Sequence, residues 1–284
     1  MKKRFSILAT CVCVLCALAL VLAGCGNSGS NANSGSSSSN GGSDAAASDG
    51  KMKLATEGTL TCVTEMGFQP FEYLLEGSTD PVGYDIDVAN ELAKRMGLTC
   101  KFLPSQNFDT LIPTVAEGSK ADIAIAGITI NDERIKEIDF SGPYFTSNLA
   151  VVVKGDSAET LQTLDAPDKQ VACQRGTTGD GWIDENLAKA TKMPLDDISA
   201  GLAGVSTGNY AAYVIDLPVA EKNLKDSFTD LKILEKVATG EEYGIAVSKK
   251  NPELTKAINK ALGEMKADGT MDKISEKWLS NNAV

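Results

Sequence analysis

The sequence predicts an α/β protein made of two successive α/β units, and two observations carry that prediction. Between residues 60 and 125, short apolar runs alternate with stretches of helical spacing. Strand, helix, strand, helix, strand is the order of a parallel sheet covered by helices. From about residue 149 a second such alternation begins, and the chain closes with two amphipathic helices. With 284 residues, 43% of them hydrophobic, the chain can bury a sizeable core in one or two domains.

The first residues lie outside that core. Lys2, Lys3 and Arg4 precede an apolar run over 7–23, whose end reads Leu22-Ala23-Gly24-Cys25. A basic start, an apolar middle and small residues before a cut site describe an export signal over 1–24. An uncleaved membrane helix is the alternative, since the run is nearly long enough to span. Cleavage is preferred because Gly24-Cys25 runs straight into a Ser, Gly and Asn tether. Such a composition cannot bury apolar surface, and about 25 residues of it span roughly 25–30 Å. Leu-Ala-Gly-Cys resembles the bacterial lipoprotein signal. The resemblance implies cleavage before Cys25, lipid on that cysteine, and a location on the extracytoplasmic face of the cell membrane. Several acyl chains on one residue hold firmly where a single chain binds marginally.

Three of the seven cysteines, Cys11, Cys13 and Cys16, leave with the signal. Cys62, Cys100 and Cys173 remain in apolar, strand-like stretches, so at most one internal disulfide is possible. There is no histidine, which excludes Ser-His-Asp and Cys-His nucleophiles and most zinc sites. No catalytic residue, metal or cofactor is expected. Without Lys2, Lys3 and Arg4, 24 bases face 38 acids, a net charge of −14. No basic stripe exists for nucleic acid.

The folded body begins near residue 54. Residues 60–64 read as a strand, and Glu65 to Glu72 as a loop with two aromatics. Over 84–96, Ile86, Ala89, Ala93 and Met96 keep helical spacing, with Asp85 as N-cap and Gly97 as the stop. A strand over 99–103 and a helix over 108–117 follow, with Pro113 far into the latter. Residues 121–125 form the third strand. The next run, Ala-Gly-Ile-Thr-Ile-Asn-Asp-Glu-Arg over 126–134, organises the chain. Gly127 permits close backbone approach, and Asn131 or Asp132 can cap a short helix carrying Arg134. A strand end therefore brings backbone groups, the Thr129 hydroxyl and the Arg134 guanidinium together. That set suits a carboxylate, because Arg offers two parallel donors. A turn with a surface arginine is the plain alternative.

In the second unit, 170–174 reads as a strand, and Gly176-Thr177-Thr178 opens a helix. Residues 211–215 form a strand ending at Asp216, with a helix after Pro218, and 242–247 is β-like. Asn251-Pro252 starts a helix whose face is Leu254, Ile258, Leu262 and Met265. Met271, Ile274 and Trp278 form the last.

Seven segments together resemble the amino-acid-binding receptors of bacterial ABC importers (extracellular solute-binding proteins, family 3). They are Gly67-Phe68-Gln69-Pro70-Phe71-Glu72, Gly83-Tyr84-Asp85-Ile86-Asp87, 108–112, 127–134, 140–144, Gly176-Thr177-Thr178 and Ile215-Asp216. The resemblance covers nearly everything from residue 60 onward. It implies the type II periplasmic-binding-protein-like fold, two α/β lobes joined by two hinge strands near 147–151 and 243–247. The lobes would be 54–147 with 243–284, and 148–242, after a lipidated tether over 25–53. Arg134, the Thr129 amide and Thr177 or Thr178 would hold a ligand carboxylate. Asp216, the Gly127 carbonyl and the Thr129 hydroxyl would hold its ammonium. Phe68 and Phe108 would wall the side-chain slot, and Glu65 would face the ligand. Each has a plainer reading: Thr177, Thr178 and Asp216 as helix caps, Phe68 and Phe108 as core, Glu65 as a solvated charge. Their joint placement at strand ends favours binding.

The function implied is a lipid-anchored, monomeric receptor that hands a polar amino acid to an importer permease and ATPase. An enzyme on the same fold, dehydratase-like or cell-wall lytic, is the alternative, with Glu65 and Asp216 as its candidate acids. A sensory module ranks last. Glu65 hints at a cationic or polar ligand side chain, and Arg175 could cancel that charge.

Overall fold

The computed structural model describes residues 51–280, so the export signal, Cys25 and most of the tether lie outside the described residues. The first half of the chain runs β1 (Thr59–Val63), β2 (Tyr73–Leu74), β3 (Pro81–Val82), α1 (Tyr84–Arg95), β4 (Thr99–Phe102), α2 (Phe108–Glu117), β5 (Ile123–Ala124), α3 (Asp132–Glu137) and β6 (Asp139–Phe140). Next come β7 (Phe145–Lys154), α4 (Leu161–Leu164), β8 (Gln170–Gln174), α5 (Thr178–Asn186), β9 (Thr191–Leu195), α6 (Ile198–Ser206), β10 (Ala212–Asp216) and α7 (Leu217–Asp226). The last are β11 (Leu231–Tyr243), β12 (Ala246–Val247), α8 (Pro252–Ala267) and α9 (Thr270–Leu279).

These strands form two five-stranded sheets, ordered β4-β1-β5-β12-β6 and β11-β7-β10-β8-β9, plus the small β2-β3 pair. In the first sheet β1 is parallel to β4 and β5. In the second β8 is parallel to β9 and β10. Leu60, Cys62 and Val63 of β1 are fully buried, as a central strand covered on both faces requires. Around each parallel core the remaining strands run antiparallel: β12 against β5 and β6, β7 against β10 and β11.

The antiparallel strands carry the chain between sheets. β6 belongs to the first sheet and β7 to the second, so the outward crossing lies at 141–144. β11 and β12 bring it back across 244–245. The crossings are side by side, since Tyr243 pairs with Phe145 and the Ser141 amide donates to the Ile245 carbonyl at 2.9 Å. Aromatic rings fill the space around them. Phe71 lies 5.0 Å from Phe145 and 5.5 Å from Tyr243, centroid to centroid and edge-on.

One helix start differs from expectation. Asp85 does not cap α1; Gly83 does, at φ 135°. A Cβ at Gly83 would stand 2.1 Å from the Phe71 carbonyl oxygen, so only glycine fits that approach. Asp85 lies instead within the first turn of α1 and is fully buried. At the other end Gly97 takes the left-handed conformation and Leu98 N–H reaches back to the Ala93 carbonyl at 2.8 Å. That is a Schellman stop. Cys62, Cys100 and Cys173 are free thiols.

Candidate functional site

Short strands and tight turns bring the site together. β5 ends at Ala124, and Gly127 at φ 55° turns the backbone against the Phe68 ring. A Cβ there would sit 2.5 Å from Phe68 Cε1. Asn131 caps α3, its side chain accepting from the Arg134 N–H at 2.8 Å. The cap sets the Arg134 side chain across the ring of Phe108, 5.3 Å from its centroid. The guanidinium donates to the Thr129 carbonyl at 2.7 Å and to the Gly176 carbonyl at 3.0 Å. The second of these bonds joins the two lobes.

From the second sheet, β8 ends at Gln174 and Gly176 turns at φ 74° into α5. Thr177 is the N-cap of α5, accepting from the Asp180 N–H, and its hydroxyl donates to the Gln174 carbonyl at 2.8 Å. The capping reading of Thr177 is therefore correct for its hydroxyl. Asp216 starts α7 without a side-chain cap bond. Its carboxylate instead accepts from the Tyr243 hydroxyl, and it is buried. Phe68, Phe108, Gly127, Thr129, Arg134, Thr177, Thr178 and Asp216 all line one small cavity, with Gln174. Its free volume is 10 Å³, about that of one water. Beyond Arg134 and Thr178 a larger cleft of 670 Å³ opens between the lobes.

Glu65 stands apart from the other expected residues. Gln174 Nε2 donates to both of its oxygens at 2.7 Å, a second cross-lobe tie. It lines a neighbouring 210 Å³ cavity with Asp196 and Asp197. Burial pushes the Glu65 carboxyl up to about 7 against the pull of that Gln174 bond. Burial and the nearby Glu241 charge push Asp216 up to about 7. Burial lowers the Arg134 guanidinium, while Glu241, Asp216 and Glu133 raise it. Arg175 pairs with Asp196 at 3.0 Å on the surface, so its charge is already answered.

Four residues at the site were not legible as site residues. Gln174 closes on Glu65, and Tyr243 holds Asp216. Glu241 accepts from the Thr129 hydroxyl at 2.7 Å and the Thr178 hydroxyl at 2.8 Å. Asp85 accepts from the Gly127 N–H at 2.9 Å and the Tyr144 hydroxyl at 2.8 Å, which fixes the Gly127 turn from behind. Burial raises Asp85 to about 6 and the adjacent, fully buried Glu72 well above the carboxylate range. A strand-end motif marks Gly127 and Arg134, but no local pattern shows which distant carboxylate meets them.

This chain matches the bacterial extracellular solute-binding proteins, family 3, over residues 60–281. It belongs to that family. The L-cystine-binding protein TcyJ of Escherichia coli (strain K12) is 30% identical over 80% of this chain and 85% of its own. The arginine-binding extracellular protein ArtP of Bacillus subtilis (strain 168) is 32% identical over 84% and 91%. Among solved structures, an ancestral arginine-binding protein bound to glutamine shares 41% identity at a TM-score of 0.73, over 78% of this chain and 98% of that one. The two-lobe, type II periplasmic-binding-protein-like fold is therefore the fold of this family member. Among the described residues no helix is long and apolar enough to cross a membrane.

Proposed function

We propose that this family member is a monomeric receptor that takes a polar amino acid into the inter-lobe cleft and delivers it to the permease and ATPase of an ABC importer. Divided at the two crossings, lobe 1 is 54–144 with 244–280 and lobe 2 is 145–243, a few residues from the bounds 54–147 with 243–284 and 148–242 expected from the sequence. One observation carries the reading: Arg134 from α3 of the first lobe and Asp216 from the end of β10 in the second line the same cavity, each held by neutral groups. A free amino acid brings the complementary pair of charges. Arg134, the Thr129 amide and the amide at the start of α5 receive its carboxylate. Asp216 and the Gly127 carbonyl receive its ammonium. Phe68 and Phe108 flank the side chain, which ends toward Glu65 and Gln174. A cavity of one water's volume admits no amino acid, so entry requires the lobes to part.

Arg134→Ala removes a charge-assisted donor pair from a closed cleft and lowers affinity about a hundredfold or more. Calorimetry with L-glutamine, L-arginine, L-lysine, L-histidine and L-cystine checks this. An unchanged dissociation constant for the ligand that binds the native protein ends the assignment. Lipid on Cys25 anchors the receptor at the extracytoplasmic face. If Cys25→Ser still labels with radioactive palmitate, that anchor is wrong.

The enzyme reading draws on Glu65, whose raised carboxyl suits a general acid. It also draws on an ancestral amino-acid-binding protein, a precursor of cyclohexadienyl dehydratase, which is 36% identical at a TM-score of 0.73. The named relatives above are binding proteins, and binding without turnover is the expected behaviour here. Recovering an unchanged amino acid from the purified protein by mass spectrometry separates the two.

A further inference from the structure

Glu241 has no role in the reading above, yet it is built into the cleft. β11 pairs with β7 at Val237–Leu149 and then at Glu241–Ser147, so four steps on β11 match two on β7. The extra residues form a bulge, and bulges beside functional sites re-aim side chains. Gly240 turns at φ 62°, and its N–H donates to Asn148 Oδ1 at 3.0 Å, which pins the bulge. The result is a carboxylate only 9% exposed. One of its oxygens takes the hydroxyl of Thr129 from the first lobe and of Thr178 from the second.

A threonine hydroxyl has one proton and two lone pairs. Where a carboxylate takes the proton, only acceptor capacity is left for anything else. We propose that Glu241 is a positioning residue for ammonium recognition: it holds the Thr129 and Thr178 oxygens as acceptors and ties the two lobes through them when the cleft is closed. Asp216 then supplies the counter-charge and the two hydroxyl oxygens complete an acceptor shell for N–H donors. The hydroxyl of Thr178 is spent on Glu241, so α5 serves the ligand carboxylate with its backbone amide. The inference rests on the receptor reading and assigns the polarity of one wall of that same site.

The test compares the native protein, Glu241→Gln and Glu241→Ala. Calorimetry measures affinity for whichever of L-glutamine, L-arginine, L-lysine, L-histidine and L-cystine binds the native protein best, and for its 2-hydroxy analogue. The analogue keeps the carboxylate and side chain but replaces the ammonium with a neutral hydroxyl. Both threonines donate to one oxygen, which the amide of Glu241→Gln can still present, so that variant keeps the two bonds without the charge, whereas Glu241→Ala removes both. The loss of two hydrogen bonds to a charged group predicts about tenfold to a hundredfold weaker binding of the amino acid by Glu241→Ala, and a smaller loss in Glu241→Gln. The analogue weakens by less, so the preference for ammonium narrows. A purely structural role would weaken both ligands alike. Equal losses for the two ligands, or none, in a folded Glu241→Ala overturn the inference and leave the receptor reading standing. A native protein that binds none of the five overturns the reading itself. Melting temperatures on the same samples confirm that each variant is folded.

Discussion

Asp216 shows how much one side chain's surroundings decide. Burial, with Glu241 nearby, raises its carboxyl to about 7. Under the proposed reading an ammonium ligand would favour the ionised form, so binding would drive a proton off. Affinity is therefore expected to fall as pH drops from about 8 to about 5. Calorimetry in buffers of different ionisation enthalpy reads the released proton directly. Asp216→Asn is expected to weaken binding by about 2–5 kcal/mol and to abolish that proton release. A helix-cap role predicts unchanged affinity, because Asn caps about as well as Asp. Asp216 was legible because it ends a strand in an α/β chain. Its partner was not, because Tyr243 arrives from a strand 27 positions away through a pairing that no local pattern encodes.

At the scale of elements, α3 is the weakest support under the strongest group. It has six residues and no buried ones, so its Asn131 cap contributes much of what holds it. Asn131→Ala is expected to cost about 1 kcal/mol of stability. It should also weaken ligand binding through a misplaced Arg134, although Arg134 itself is untouched. Asn131→Asp should restore both, and binding by the alanine variant equal to the native protein's would refute the link. Helices α1 and α2 and strand β8 were legible from spacing, the Gly97 stop of α1, and apolar runs. β9 and α6 were not. β9 contains Lys192 and Pro194 and has no period. α6 spends two positions on glycines, poor helix formers. Their reason is tertiary: a Cβ at Gly201 would meet Tyr213 at 2.2 Å, and one at Gly204 would meet Tyr210 at 2.3 Å. Burial in the native packing outweighs local propensity there.

At the scale of the whole molecule, the buried acids set a pH dependence of stability. Glu65 and Asp216 are raised to about 7 and Asp85 to about 6, above ordinary values near 4. The folded protein holds these protons more tightly than the unfolded chain, so unfolding releases them. Their contribution is present below about pH 4 and is lost as pH rises to about 7. Asp268, lowered to about 2 on the surface beside Thr270 and Arg95, acts in the opposite direction and only at lower pH. The melting temperature of the unliganded protein is expected to be higher at pH 5 than at pH 8. Thermal scans across that range check it, and a rise toward pH 8 would contradict the burial of these three groups as uncharged acids.

The paired crossings at 141–144 and 244–245 also have an evolutionary consequence. Because Phe145 and Tyr243 lie directly opposite one another on adjacent strands, everything between them leaves and re-enters at neighbouring points. Topologically the second lobe is a guest, spliced into a host whose two halves already meet through β5 and β12. A guest with adjoining ends can be exchanged without rethreading the host. Recombination between paralogues at these two points would join one parent's Arg134 to another's Asp216 in a single event. Cargo preference could then change by transplantation of a module as well as by point substitution.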